Sequence, residues 1–222
     1  MTVASTSAYA QRTESFCCDE CSEEMALPLF CDHCGTDYPE RRGMSSFAIL
    51  GLPASFAIEA AQIENRELLL TRRLHPDRWQ QKEGRLHKKA LLAQAAVNEA
   101  LGAIREPIDR GEALLALQAA DLAEDLRPQH RVDQDFLLEQ LELQEEVRGK
   151  LEPTRRRNLK KQVRSELSAL NEYMEACFSA LEQDPKGDSR RQVVSQTLRW
   201  LGEARYWRNL QRALRGEVPG QG

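Results

Sequence analysis

Beyond Met44 the apolar residues recur at three- and four-residue steps, the period of helices that bury one face. Ala60, Ile63, Leu70 and Leu74 share one such stripe, while Ala93, Val97 and Leu101 share another, which predicts an antiparallel helix pair. Leu68 and Leu69 lie partly off the first stripe. Pro76 removes a backbone donor and biases His75 away from helical dihedrals, so the first helix of the pair stops near Leu74. The second pattern runs from about Arg85 to Ile104, leaving roughly ten residues for an exposed connection that carries His75-Pro76-Asp77, with Trp79 packed beneath it.

Three longer helices follow: from about Asp133 to Arg148 with Gly149 at the end, from about Pro153 to before Asp184-Pro185, and from about Asp188 to Leu214 before Gly216. The middle one carries a sustained seam of Leu159, Val163, Leu167, Leu170, Met174, Cys177 and Leu181, and Cys177 reads as a core thiol. In the last, Val194, Leu198 and Leu201 form one row, with Val193, Thr197, Trp200, Ala204 and Trp207 beside it. The first helix is unusual. At about 100° per residue, Phe136, Leu143 and Val147 fall within roughly 40° of one another, while Leu137, Leu138 and Leu141 cluster about 150° away. An edge helix needs one buried stripe, so the second, with Glu145 on it and Glu142 beside it, has the composition of a protein-docking surface or packs on the preceding domain. Between Ala119 and Val132 the pattern weakens, and Arg127-Pro128 and His130 read as a solvated connector.

Composition agrees with an all-α chain: of 222 residues 41% are hydrophobic, 30% charged and only 6% aromatic. A net charge of −4 offers no global attraction to nucleic acid. No apolar run approaches the roughly 18 residues of a membrane span, and the first residues lack a secretory core. The chain is therefore expected to be soluble and intracellular. Residues 1–16, rich in Ser, Thr and Ala with Arg12 the one basic residue, read as a disordered leader and a poor transit peptide.

Cys18-Asp19-Glu20-Cys21 and Cys31-Asp32-His33-Cys34 are separated by nine residues. Two such knuckles bring four thiolates to a tetrahedron, favouring one structural zinc ion on Cys18, Cys21, Cys31 and Cys34. A disulfide framework is disfavoured in a reducing compartment, and an iron–sulfur cluster on the same sulfurs stays open as an alternative. Cys17 and His33 are bystanders by spacing. The module's few apolar residues, Met25, Leu27, Leu29 and Phe30, imply that the metal supplies most of its stability. Residues 13–40 contain no Arg or Lys, which argues against a nucleic-acid-reading zinc ribbon.

His75-Pro76-Asp77 has three readings. It is a helix stop with turn residues; it is an acid/base pair, though no nucleophile stands beside it; or it is a docking tip. Arg66, Arg72, Arg73, Arg78, Lys82, Arg85, Lys88 and Lys89 outnumber Glu67, Asp77 and Glu83 around it, which suits docking on an acidic partner that offers an Arg to Asp77. This arrangement resembles the J domain, the module that binds a DnaK-type chaperone and stimulates its ATPase. Ser46-Phe47-Ala48-Ile49-Leu50-Gly51-Leu52-Pro53 looks like the first J helix and its exit, and Asn98-Glu99-Ala100 falls where the third packs. Arg105-Glu106-Pro107-Ile108-Asp109-Arg110-Gly111-Glu112 and the helix opening Asp135-Phe136-Leu137-Leu138 are similar to the HscB family of J proteins. Glu67 departs from that family, which usually has an aromatic there, so the second J helix is expected to be repacked.

The resemblance implies a J domain at 44–118, a linker at 119–132, an antiparallel three-helix scaffold-binding domain at 133–215 and a tail at 216–222, preceded by the zinc module at 17–43. Arg41-Arg42-Gly43 is the expected hinge between module and J domain. It further implies a non-enzymatic co-chaperone of iron–sulfur cluster assembly. His75, Pro76, Asp77, Arg66, Arg72 and Arg73 would meet a DnaK/HscA-type chaperone. Leu137, Leu138, Leu141, Glu142, Glu145 and Trp200 would hold an IscU-type scaffold protein. The expected compartment is the cytoplasm, or the mitochondrial matrix for a eukaryotic source. The alternatives are a J protein for a different client with a zinc-mediated partner site, and a zinc-dependent nucleic-acid binder.

Overall fold

The structure is a computed structural model and describes residues 16–80, 84–183 and 189–217. The expected leader before Phe16, Lys82, Glu83, Asp184-Pro185, Asp188 and the end of the tail lie outside the described residues. Among the described residues the regular structure is helical apart from one small hairpin and a single bridge between Phe30 and Asp37, and the chain divides into two compact units, up to Leu117 and from Gln118. No described helix is long and apolar enough to cross a membrane.

The first unit opens with strands β1 (Phe16–Cys17) and β2 (Glu24–Met25), paired antiparallel with Phe16 opposite Met25. Arg41-Arg42-Gly43, expected as a hinge, closes a 3-10 turn over Pro39–Gly43. The Arg41 guanidinium folds back 4.0 Å from the centre of the Tyr38 ring and donates to the Pro28 carbonyl at 3.3 Å, so the segment is fastened rather than loose.

Helices α1 (Ser46–Leu50), α2 (Ala60–Leu74), α3 (Pro76–Gln80), α4 (Gly84–Arg105) and α5 (Pro107–Gln118) follow. Each boundary has a local cause. The Ser45 hydroxyl accepts from the Ala48 amide at the start of α1, and Gly51 ends it at φ +62°, where any Cβ would also stand 2.6 Å from Arg66 Nη2. Glu59 and Gln62 form a capping box before α2. α1, α2 and α3 all pack on α4, and the predicted stripes meet there: Ile63, Leu70 and Leu74 are buried, as are Ala93, Val97 and Leu101. Leu68 and Leu69 are exposed. The connection after Leu74 is more ordered than expected, because Pro76 opens α3 at a first-turn position where its missing N–H has no helical partner to lose. Glu67 stays out of the core and pairs with Arg105, which ties the middle of α2 to the end of α4.

Arg110 on α5 is buried among backbone carbonyls, with the Glu106 carboxylate near enough to favour its charge. Its guanidinium donates to the carbonyls of Phe56 (2.8 Å), Ile58 (3.3 Å), Ile104 (2.8 Å) and Arg105 (3.3 Å), closing the α1–α2 loop onto the end of α4.

In the second unit the weakly patterned stretch is not a loop. It forms α6 (Ala120–Leu126), which packs on α9 (Arg190–Arg215). His130, expected to be solvated, bonds to the Ser195 hydroxyl through Nε2 at 2.8 Å, and Asp125 pairs with Arg191 at 2.8 Å. The acidic and Pro-containing sequence hid a strap held by polar contacts. Helices α7 (Gln134–Arg148) and α8 (Pro153–Gln183) complete an antiparallel three-helix bundle with α9. Asp133 caps α7 by accepting from the amides of Asp135 (2.9 Å) and Phe136 (3.3 Å). Phe136 meets Trp207 edge-on at 6.0 Å, and Leu143 and Val147 are buried below it. Gln140 lies in that seam, 1% exposed, with neither amide atom hydrogen-bonded. On α8 the seam holds Leu159, Val163, Leu170, Met174, Phe178 and Leu181; Cys177 is half-buried, and burial pushes its thiol pKa up.

Two stability outcomes follow from these polar groups. Arg110→Met strips the donors from buried carbonyls and is expected to cost about 3 kcal/mol in a urea titration. Gln140→Leu fills the same space without an unpartnered amide and is expected to stabilise by about 1 kcal/mol.

Candidate functional site

Three places in the fold carry the chemistry picked out in the sequence. The first is the turn between α2 and α3. His75 caps α2 with extended dihedrals, and its Nδ1 accepts from the Asp77 amide at 3.3 Å and lies 3.6 Å from an Asp77 carboxylate oxygen. The side chains of His75 and Asp77 are 53% and 77% exposed, so the tip is open to a partner. Of the three cations picked out on α2, only Arg72 is exposed. Arg66 donates to the carbonyls of Leu50 and Ala26, and Arg73 pairs with Asp32 at 3.0 Å. These two are engaged within the chain because helix geometry turns them toward the cysteine module, which charge counting alone did not show.

The second place is the cysteine module. Each knuckle turns back on itself: the Ser22 amide donates to the Cys18 carbonyl and the Gly35 amide to the Cys31 carbonyl, both at 2.9 Å. Ser22 and Gly35 take positive φ, +58° and +83°. The four sulfurs of Cys18, Cys21, Cys31 and Cys34 lie within 4.8 Å of one another, with Cys18–Cys34 at 3.5 Å and Cys21–Cys31 at 3.6 Å. A four-coordinate metal with bonds of about 2.3 Å to sulfur needs edges of roughly 3.8 Å, so these residues fit a closed site. Cys17 and His33 are exposed and outside the cluster.

Tyr38 is a feature the cysteine spacing did not reveal. Its hydroxyl accepts from the Asp19 amide at 2.8 Å and donates to the Cys18 sulfur at 3.2 Å. That donated bond lowers the Cys18 pKa to about 5, while Tyr38 itself is pushed up to about 12 by the same bond. Burial pushes Cys31 the other way, up to about 12. The Tyr38 bond thus favours the Cys18 thiolate, whereas burial favours the protonated form of Cys31.

The module also has more support than its own side chains supply. Phe30 meets Trp79 edge-on at 4.7 Å, and Gly35 lies so close to α4 that an added Cβ would stand 2.8 Å from Leu86. Trp79 is 1% exposed, so it packs under the turn as expected, with the module as part of what covers it.

The third place is the outer side of α7. Leu138 and Leu141 are 60% and 58% exposed, Leu137 is half-buried, and Glu142 and Glu145 are exposed beside them. Trp200 on α9 is half-buried and stacks at 4.9 Å on Tyr173 of α8, with the Arg199 guanidinium 5.1 Å from its ring centre. Tyr173 was not singled out in the sequence; its position off the apolar seam of α8 was the available signal.

Comparison with known proteins bears on all three places. Residues 132–215 match the family model of the HSCB C-terminal oligomerisation domain. The co-chaperone protein HscB of Proteus mirabilis is 35% identical over 104 residues, 47% of this chain, and the match spans 59% of that relative's length. Among solved structures, the human co-chaperone protein HscB superposes with a TM-score of 0.65 at 22% identity, covering 92% of this chain and all of the other. The chaperone HscB of Vibrio cholerae gives 0.57 at 22% identity, covering 78% and 96%. At that identity the structures speak for the fold, and the carboxy-terminal model and the curated relative speak for descent. Residues 132–215 thus carry an HSCB C-terminal oligomerisation domain, in a chain that shares the fold of the HscB co-chaperones and has a tetracysteine module ahead of it.

Proposed function

We propose that this protein is a co-chaperone of iron–sulfur cluster assembly, which binds an IscU-type scaffold protein through its bundle and presents it to a DnaK/HscA-type chaperone. The observation that carries the reading is the second apolar side of α7, left in solvent with an acidic border within the segment matched by the family model. An exposed Leu138–Leu141 pair is costly to leave in water and is the kind of surface that a partner covers. Leu137, Leu138, Leu141, Glu142 and Glu145 supply that contact, with Trp200 contributing an aromatic edge from α9.

The chaperone-facing element is the turn of His75, Pro76 and Asp77 with Arg72 beside it. Asp77 offers an exposed carboxylate to an Arg of the chaperone, and Arg72 adds a cation toward an acidic surface. Arg66 and Arg73 serve this contact by holding α2 in place. The protein performs no chemistry of its own; it activates the chaperone's ATPase and couples that activation to delivery of the scaffold. The metal of the cysteine module is read as one zinc ion in a structural role, since four thiolates close the coordination sphere and leave no position for a reactant.

Each element has its own readout. His75→Gln is expected to abolish stimulation of the chaperone ATPase; full stimulation by this variant rejects the docking role of the turn. Leu141→Ser combined with Trp200→Ala is expected to weaken scaffold binding at least tenfold by calorimetry, about 1.4 kcal/mol or more, with chaperone stimulation in the absence of scaffold retained. For the metal, acid competes with zinc for the thiolates. Tyr38→Phe removes the bond that keeps Cys18 ionised, so its pKa rises and protons compete better. The midpoint of zinc release, followed with a chromogenic chelator, should therefore move to higher pH, by roughly half a unit or more.

A further inference from the structure

The cysteine module and the His-Pro-Asp turn are not independent, because the residues on either side of the ligand Cys31 reach the chain on either side of the turn. Asp32, whose side chain is 1% exposed, pairs with Arg73 at 3.0 Å and accepts from the Ala26 amide at 3.3 Å. Phe30, fully buried, meets Trp79 edge-on at 4.7 Å. Arg73 precedes His75 by two residues and Trp79 follows Asp77 by two. The Trp79 indole N–H also donates to the Arg73 carbonyl at 3.3 Å, so the two ends of the turn are joined to each other as well as to the module. Two helical turns before Arg73, Arg66 donates to the Ala26 carbonyl. The segment 26–32 thus touches α2 and α3 at three levels, and it contains the third metal ligand, Cys31.

We propose that the tetracysteine module is the floor on which the His-Pro-Asp turn is held, with Phe30 and Asp32 as positioning residues and metal loading as what keeps that floor in place. The physical reason is the small size of the module. The cluster of Cys18, Met25, Cys31 and Tyr38 holds little apolar area, and two of its four members are metal ligands. With the metal bound, Cys31 is fixed within the docking segment, between Phe30 and Asp32, and Cys21 anchors the chain that leads into it. Without it the four thiols no longer share an ion, the segment is tied only by its contacts to α2 and α3, and Trp79 and Arg73 lose their partners when it lifts. Arg73, 40% exposed even when paired, then turns to water, and the end of α2 loses the tie that fixed it to the segment, so the turn is loosened rather than merely bared.

The mechanical part of this proposal stands without the functional reading; its effect on the chaperone rests on that reading. Amide hydrogen exchange of the full chain, zinc-loaded and after chelation under reducing conditions, separates the two. Chelation is expected to speed exchange across 66–80 at least tenfold and to leave α7, α8 and α9 unchanged; equal rates across 66–80 overturn the proposal. Phe30→Ala and Asp32→Asn keep all four cysteines. Each, with one zinc per chain confirmed by metal analysis, should show the faster exchange and need roughly tenfold more protein for half-maximal chaperone stimulation, with the maximum retained. Zinc-loaded variants that exchange like the parent also overturn it. If instead exchange responds while His75→Gln still stimulates, the functional reading falls and the coupling stands.

Discussion

A proline after His75 forces α2 to stop, and the chain must then reverse within a few residues while leaving its polar tip in water. Such a turn has almost no core of its own. Its rigidity depends on one large side chain beneath it, Trp79, which joins the turn to α4 and to Phe30 while its N–H returns to the Arg73 carbonyl. The rest of the first unit serves the same geometry. Gly51 allows Arg66 to come close and hold both the end of α1 and the module. Arg110 does for the opposite end of the helix pair what Arg66 does here, using backbone carbonyls as acceptors. Long cationic side chains thus act as internal fasteners alongside the apolar core of the first unit.

The second unit solves a different problem. α7 is the edge helix of the bundle and carries more apolar residues than one buried stripe needs. The seam it does bury is imperfect, since Gln140 interrupts Phe136, Leu143 and Val147 with an unbonded amide. A helix with a weakened inner seam and a greasy outer side could settle in either rotation. A polar group at one seam position is a known means of fixing register, and here the Asp133 cap and the Phe136–Trp207 contact select the same rotation. The outcome keeps Leu138 and Leu141 outward, which the proposed scaffold contact requires.

Several helix limits were legible because they are set by local chemistry: the stop at Leu74 ahead of Pro76, the start at Pro153, and the ends at Gly149 and Gly216. The four sulfur ligands were legible for a similar reason, since knuckle spacing alone confines them. What the sequence concealed are contacts between distant segments. Nothing local to Asp32 shows that it will be buried against Arg73, forty-one residues away. Arg66 and Arg73 count as positive surface until α2 is placed, and the placement takes them inward. α6 was hidden because its buried apolar residues, Ala123 and Leu126, are too few to mark a period, and His130 because its partner Ser195 lies on another helix. Tyr38 and Tyr173 were missed because a single aromatic carries no pattern.

The net charge of −4 hides two opposed local fields, and their separation between units bears on how two partners are sorted. α2 ends in Arg72 and Arg73 and is followed by Arg78, whereas α7 carries Asp135, Glu139, Glu142, Glu145 and Glu146 before its only basic residue, Arg148. With Arg73 neutralised by Asp32, the cationic part facing solvent is narrower than the sequence suggests, and the exposed Asp77 sits within it. On the proposed reading, an acidic chaperone surface would be attracted to the first field and repelled by the second, and a scaffold with basic residues around its apolar contact would experience the reverse. Charge of this kind changes encounter rates and wrong-partner penalties more than it changes final affinity. On the proposed reading, then, the leucines of α7 supply the hold on the scaffold, the turn supplies the signal to the chaperone, and the opposed fields keep each partner from occupying the other's place.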